Sequence, residues 1–159
     1  MVAVVKRIAI SGYYGFGNSG DEAVLQSILL ALREEGERRG VTVEPVVLSA
    51  DPALTSEMYG VRAAHRMKPA EIAKTIRACD GLISGGGSLL QDATGVMTIP
   101  YYLSVLKLAQ LLGKPTFVYA QGIGPVNRRL FDPLIRSVFR RCRYISVRDP
   151  ESAELLRRI

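Results

Sequence analysis

Short, near-continuous apolar runs alternate with longer amphipathic ones along the chain. "RIAIS" (Arg7 to Ser11), "VEPVVLS" (Val43 to Ser49), "GLIS" (Gly81 to Ser84), "PTFVYA" (Pro115 to Ala120) and "YISV" (Tyr144 to Val147) predict strands buried on both faces. "VRAA" (Val61 to Ala64) reads as a short edge strand. Between them lie helical patterns. Asp21 and Glu22 open the first, and Val24, Leu25, Ile28, Leu29 and Leu32 form its apolar stripe up to a stop at Gly40. Further helices are expected over Pro69 to Ala78, Pro100 to Leu112 and Leu130 to Phe139, and a last one starts where Asp149 caps and Pro150 fills the first turn. Strands separated by helices in this way predict an α/β fold. The sheet is doubly wound and mostly parallel, with about 5–6 strands flanked by helices in a Rossmann-like arrangement.

The expected domain is a single unit, residues 1–159. Two features point to a larger machine: the final helix has no stop signal, and the Pro100–Leu112 helix is apolar around most of its circumference. Its polar residues, Ser104, Lys107 and Gln110, form one narrow stripe. Such a helix is either deeply packed in its own domain or laid against a second domain or subunit.

Composition narrows the partners. With 48% apolar and 23% charged residues and no low-complexity run, the chain has material for a core and is not disordered. A net charge of +6 favours an anionic partner, but no nucleic-acid motif or aromatic platform accompanies it, so nucleic acid is not expected. Arg128, Arg129, Arg136, Arg140, Arg141 and Arg143 surround the Leu130–Phe139 face; they read as solvated surface, or as a patch for anionic lipid or polymer. Cys79 and Cys142 have neither metal spacing nor a disulfide pattern and suit buried thiols in a reducing cytosol. "MVAVVKR" is too short for a signal peptide, and no run reaches the ~20 apolar residues of a membrane span. With His65 as the sole histidine, a Ser-His-Asp triad has little support, and no metal cluster is spaced in the sequence.

The chemistry is expected beyond the carboxyl ends of the strands, where an open parallel sheet binds ligands. "GYYGFGNSGDE", "GGGSLLQD", "QGIGP" and "RD" each follow a predicted strand. The first holds Gly15-x-Gly17-x-x-Gly20, the spacing of a dinucleotide-binding loop. It departs from that motif: Gly12 to Tyr14 intervene after the strand, Asp21 and Glu22 would repel a phosphate at the helix start, and Asp51 lies too far along to hold the ribose. The better reading is a wide loop that brings Asn18, Ser19 and Asp21 to the cleft, although Ser19 or Asp21 could equally serve as a helix cap. Gly85, Gly86, Gly87 and Ser88 form a candidate anion nest leading into a helix, or else a tight strand-to-helix turn. Gln121, followed by Gly122 and Gly124, could bond a sugar hydroxyl or brace its loop. Arg148 could grip a carboxylate or phosphate with two prongs, or pair with Asp149.

Taken together, "GYYGFGNSGDEAVLQSIL", "DGLISGGGSLLQD", "GKPTFVYAQGIGP" and "ISVRDPESAELL" resemble the polysaccharide pyruvyl transferases, in particular the bacterial branch that pyruvylates a lipid-linked cell-wall polymer. The likeness runs from Ile8 to Leu156. It implies a glycosyltransferase-B-like architecture of two Rossmann-like domains, of which this chain is the N-terminal one. It also implies phosphoenolpyruvate as donor, a polymeric or lipid-linked acceptor carrying N-acetylmannosamine or a similar sugar, and work at the inner membrane face by a cytoplasmic protein. No cofactor is implied. Arg148 matches the family's donor-binding arginine, and Asp21 with its neighbours matches an acidic loop lining the cleft. The family's histidine and lysine of the C-terminal half have no counterpart in this chain, which is expected to be inactive alone. Its uncovered apolar surface would favour homo-oligomers. The alternatives are a sugar- or nucleotide-binding module of the glycosyltransferase-B type and a dinucleotide-binding oxidoreductase.

Overall fold

The computed structural model describes residues 4–93 and 95–159, with the side chain of Ser88 also outside the described set. Seven strands and six helices are described. In chain order they are β1 (Val4–Ser11), α1 (Ser19–Arg39), β2 (Val41–Ser49), α2 (Pro52–Tyr59), β3 (Arg62–His65), α3 (Pro69–Ala78), β4 (Gly81–Ser84), β5 (Gly87–Leu90), α4 (Thr98–Leu111), β6 (Thr116–Ile123), α5 (Phe131–Phe139), β7 (Tyr144–Val147) and α6 (Pro150–Arg158).

Every described strand pairing is parallel. The sheet runs β3-β2-β1-β4-β6, with β5 and β7 also paired to β6. β4 meets the first half of β6, Ser84 opposite Val118, and β5 meets the second half, Gly87 opposite Gln121. They therefore act as one strand interrupted at Gly85–Gly86. The chain builds outward from β1 to β3, then returns to lay β4 on the other side of β1. That reversal is the switch point where such sheets open a crevice.

Period-two alternation assigns the two faces. Ile10 and Val47 point to a smaller core with Tyr14, Leu25 and Ile28, under α1. Ala9, Leu48, Leu82 and Val118 point to a larger one, filled from α3, α4 and α5 by Ile76, Leu103, Leu106 and Ile135. Of the two readings of the apolar helix, the first holds: α4 buries Ile99, Tyr102, Leu103, Val105, Leu106 and Ala109 within its own domain. The six arginines named above are all exposed, and both cysteines are free thiols, Cys79 buried and Cys142 half-buried.

Four expectations are corrected. β7 is not buried on both faces: it pairs with β6 alone among the described strands, and Tyr144 and Ile145 are exposed. The stretch after Gly86 is a strand, β5, because Gly87, Ser88 and Leu90 find ladder partners on β6; the glycines are a strand break and not the mouth of a helix. β1 is buried on both faces only at its carboxyl end: Val4 to Arg7 are exposed, and Arg7 pairs with Glu44 across the ladder at 2.9 Å. The cap of α1 is Asn18, whose Oδ1 accepts from the N–H groups of Gly20 and Asp21 at 3.1 Å each.

Among the described residues no helix is long and apolar enough to cross a membrane. None of their His, Cys, Asp and Glu side chains gather in a group of three or more that could hold a metal.

Candidate functional site

The opening loop is shaped by the end of β2. Gly15 has φ +86° and lies against Ser49, Ala50 and Asp51, while Gly17 has φ +74° with open space beside it. Both conformations favour glycine. Tyr14 turns inward beside Gly12 and Gly85, where an added Cβ would meet its ring or hydroxyl within 2.3 Å. Its neighbour Tyr13 turns outward and stacks on Phe16, with centroids 4.0 Å apart.

The loop delivers the chain to the N-terminus of α1, and that terminus is already occupied. Asn18 satisfies two of its N–H groups, and Glu22 Oε1 reaches back to accept from Gly15 N at 3.4 Å. Asp21 and Glu22 add negative charge in the first turn, the sign the helix dipole favours there. Backbone amides that would cradle a pyrophosphate in a dinucleotide fold are thus engaged by side chains. Asn18→Ala should cost about 1 kcal/mol of stability by loss of the cap. Urea unfolding of the two proteins measures it, and an unchanged midpoint would show that the cap contributes nothing.

Residues that follow β1, β3, β5 and β7, together with Ala120 of β6, line a cleft of about 1220 Å³. It is lined by Asn18, Gly20 and Asp21 at the start of α1, by Tyr101, Tyr102 and Ser104 of α4, and by Ala120 and Arg148. Gly87, with φ +97°, lets β5 pass close to Asp21: a Cβ there would sit 2.7 Å from Asp21 Oδ1. Burial holds the Asp21 carboxyl above its usual range.

Ala120 is the one non-glycine residue with positive φ among those described, at +49°. It sits in a bulge where Tyr119 and Ala120 of β6 oppose the single residue Ser146 of β7. Ser146 Oγ accepts the displaced Ala120 N–H at 2.8 Å. The bulge turns Ala120 into the cleft wall.

Arg148 lies just beyond β7, its N–H donating to Gln121 O at 3.1 Å. Its side chain is exposed and reaches Asp149 Oδ2 from Nε at 3.3 Å, so the pairing with Asp149 is real. Asp149 is principally a cap: Oδ1 accepts from Ser152 N at 2.8 Å, and the bonds to Ser152 and Arg148 hold its carboxyl below the usual range.

A family model described as polysaccharide pyruvyl transferase matches residues 18–159, which include the cleft residues Asn18, Asp21, Gly87, Ala120 and Arg148. The chain belongs to the polysaccharide pyruvyl transferase family. A solved oxidoreductase from Corynebacterium diphtheriae is similar in fold, with a TM-score of 0.51 and 19% identity over 99% of this chain and 91% of that one. No curated protein matches the chain.

In this member of the pyruvyl transferase family, then, the cleft collects Asn18 and Asp21, Gly87 and Arg148 from three separated stretches. The other sequence candidates lie elsewhere. Ser19 is exposed at the start of α1, away from the cleft lining. Gly85 is buried beneath the Tyr14 hydroxyl, and Gly86 is buried against Val24 and the Ala120 carbonyl. Gln121 is fully buried below the cleft, its Oε1 accepting from Ser84 Oγ at 3.1 Å. Gly122 is buried in β6, and Ser88 contributes its backbone to β5. His65 accepts the Met67 N–H on Nδ1 at 3.1 Å, a local turn contact.

One group escaped the sequence reading. Arg66, just past β3, lines the cleft yet is only 8% exposed. Its guanidinium carbon stands 4.4 Å from the Tyr101 ring centroid, 5.1 Å from Phe16 and 5.8 Å from each of Tyr13 and Tyr102. The rings come from the opening loop and from α4, so no local pattern around Arg66 announces the cage.

Proposed function

We propose that the cleft serves a transferase that moves pyruvate from phosphoenolpyruvate onto a sugar of a cell-wall polysaccharide, as a ketal. The observation that carries this reading is that Asp21 and Arg148 line one cleft in a chain of this family. Arg148 holds an anionic group of the donor by charge-assisted hydrogen bonds. Protonation of the donor's methylene carbon makes its central carbon electrophilic. A sugar hydroxyl adds there, phosphate leaves, and a second hydroxyl closes the ketal. Of the two hydroxyl protons, one replaces that consumed at the methylene and the other leaves with phosphate. Asp21, with its raised pKa, accepts a proton from an attacking hydroxyl. The general acid comes from a second domain that completes a glycosyltransferase-B-like enzyme, and the present chain alone is inactive. The acceptor is a lipid-linked or polymeric sugar of the N-acetylmannosamine kind, met at the inner membrane face.

Thermal unfolding with and without phosphoenolpyruvate tests donor binding. At ten times Kd, linkage adds about 1.4 kcal/mol, or roughly 3–6 °C in Tm. The rise should appear in the wild type and vanish in Arg148→Ala. No rise in either protein removes this domain from donor binding.

The competing reading is a dinucleotide-dependent oxidoreductase; the Corynebacterium structure is described as an oxidoreductase. The occupied N-terminus of α1 argues against it. Tight binding of a nicotinamide cofactor in a fluorescence titration would reverse the preference.

A further inference from the structure

Arg66 is a cation without a counter-ion. Among the described residues, ion pairs join Arg7 to Glu44, Arg38 and Arg39 to Glu35, and Arg148 to Asp149, and none reaches Arg66. Removing a guanidinium from water costs several kcal/mol, and an aromatic face returns about 0.5–2 kcal/mol. Of its five N–H donors, one on Nη2 goes to Tyr102 Oη at 3.1 Å and one on Nη1 makes a long contact with Met67 Sδ at 3.9 Å. Nε is buried with no hydrogen-bond partner among the described residues. The residue is pinned in this state. Its own N–H donates to Ser49 O at 3.0 Å, and its carbonyl accepts from the Tyr101 hydroxyl at 2.6 Å. A structural arginine would be expected to find a carboxylate; this one is packed among rings, at the wall of the cleft, with its strongest remaining donor unused.

We propose that Arg66 is a second anion-holding residue of the cleft, whose guanidinium N–H groups receive a substrate oxyanion, phosphate or carboxylate. A neutral water would bond the guanidinium but leave its charge uncompensated; an oxyanion does both. The Tyr13, Phe16, Tyr101 and Tyr102 rings hold the guanidinium plane in place and exclude water around it, which strengthens the contact. Arg66 thus supplies a site for one anionic group of a small dianionic ligand, in a cleft that Arg148 also lines. The assignment rests on the donor reading only for the identity of that ligand.

The test uses this chain and two probes, inorganic phosphate and pyruvate. Arginine Nε–H resonances are followed by proton–nitrogen NMR, with Arg66 identified by its contacts to the Tyr101 ring and by its absence in Arg66→Lys. The Arg66 signal should move saturably with at least one probe, and Arg66→Lys should bind that probe about tenfold more weakly. Movement with phosphate alone assigns the subsite to a phosphoryl group; movement with pyruvate alone assigns it to a carboxylate. A signal unmoved by both, or equal binding by Arg66→Lys, overturns the proposal. Should Arg66→Lys fail to fold, the wild-type titration decides. The two readings separate cleanly. A Tm rise with phosphoenolpyruvate that depends on Arg148, with Arg66 silent to both probes, keeps the donor assignment and discards this one. An Arg66 response without any phosphoenolpyruvate effect does the reverse.

Discussion

If Asp21 is the general base of the proposed transfer, Asp21→Asn is expected to lower kcat by roughly 10²–10⁴-fold, the usual worth of a positioned base, while Tm stays close to that of the wild type. Two opposing effects keep stability steady. Burial raises the Asp21 pKa above its ordinary value, so the ionised carboxylate is disfavoured in the folded protein and a neutral amide removes that penalty. The same carboxylate sits in the first turn of α1, where its charge favours the helix, and asparagine forfeits that. The pH dependence follows from the same shift. A raised folded pKa means that the stabilising contribution of protonated Asp21 is present below its unfolded pKa and lost as pH rises through the folded one. Catalysis runs the other way: the base must be ionised, so the rate climbs as pH rises through that elevated pKa. A rate–pH profile of the wild type, compared with unfolding curves of both proteins, checks both signs. A variant that loses rate and stability together would make Asp21 a scaffold residue.

Gly15→Ala is expected to destabilise the domain by about 3 kcal/mol or more, the largest stability effect of any change considered. An alanine at φ +86° adopts a left-handed conformation that costs it about 1–2 kcal/mol. Its Cβ would also lie 2.2 Å from Ser49 Oγ and 2.7 and 2.8 Å from the backbone nitrogens of Asp51 and Ala50. Backbone cannot step aside, and Ser49 Oγ is already shared between Thr55 Oγ1 at 2.7 Å and Asp51 N at 3.0 Å. Losing those bonds adds about 1 kcal/mol each. Gly17→Ala is the control: it has positive φ but nothing within 4 Å of a new Cβ, and should lose only about 1 kcal/mol. Urea midpoints for the pair separate a steric role from a conformational one. Equal losses would mean that the approach to β2 is not what makes Gly15 necessary.

The sequence marked those elements whose signals are local. β4, β7 and α3 fall on their expected bounds because short β-branched runs, or a proline start, frame them. α2 was missed although Asp51 caps it, Pro52 opens it and Gly60 closes it. With only Thr55 buried, it shows no apolar stripe to draw attention. β5 and the second half of β6 were missed for a different reason. Their glycines and Gln121 have little strand preference, and only their mutual pairing, Gly87 to Gln121 and Leu90 to Ile123, makes them strands. The site was legible to the same degree. Asn18, Asp21, Gly87 and Arg148 could be placed together because parallel strands deliver their carboxyl ends to one side. Whether a strand-end residue faces the cleft or lies beneath it depends on pleat and packing, which is why Gln121 and Gly85 went below. Arg66 was invisible because its character lies in rings brought from elsewhere in the chain.

The occupied start of α1 has an evolutionary corollary. Main-chain amides bind phosphate whatever the sequence, so a fold that relies on them keeps its ligand through long divergence. In the proposed reading, recognition rests instead on guanidinium groups, each of which one codon change can delete. On that reading, a relative with this scaffold could change or lose its acidic ligand without disturbing the β-sheet beneath.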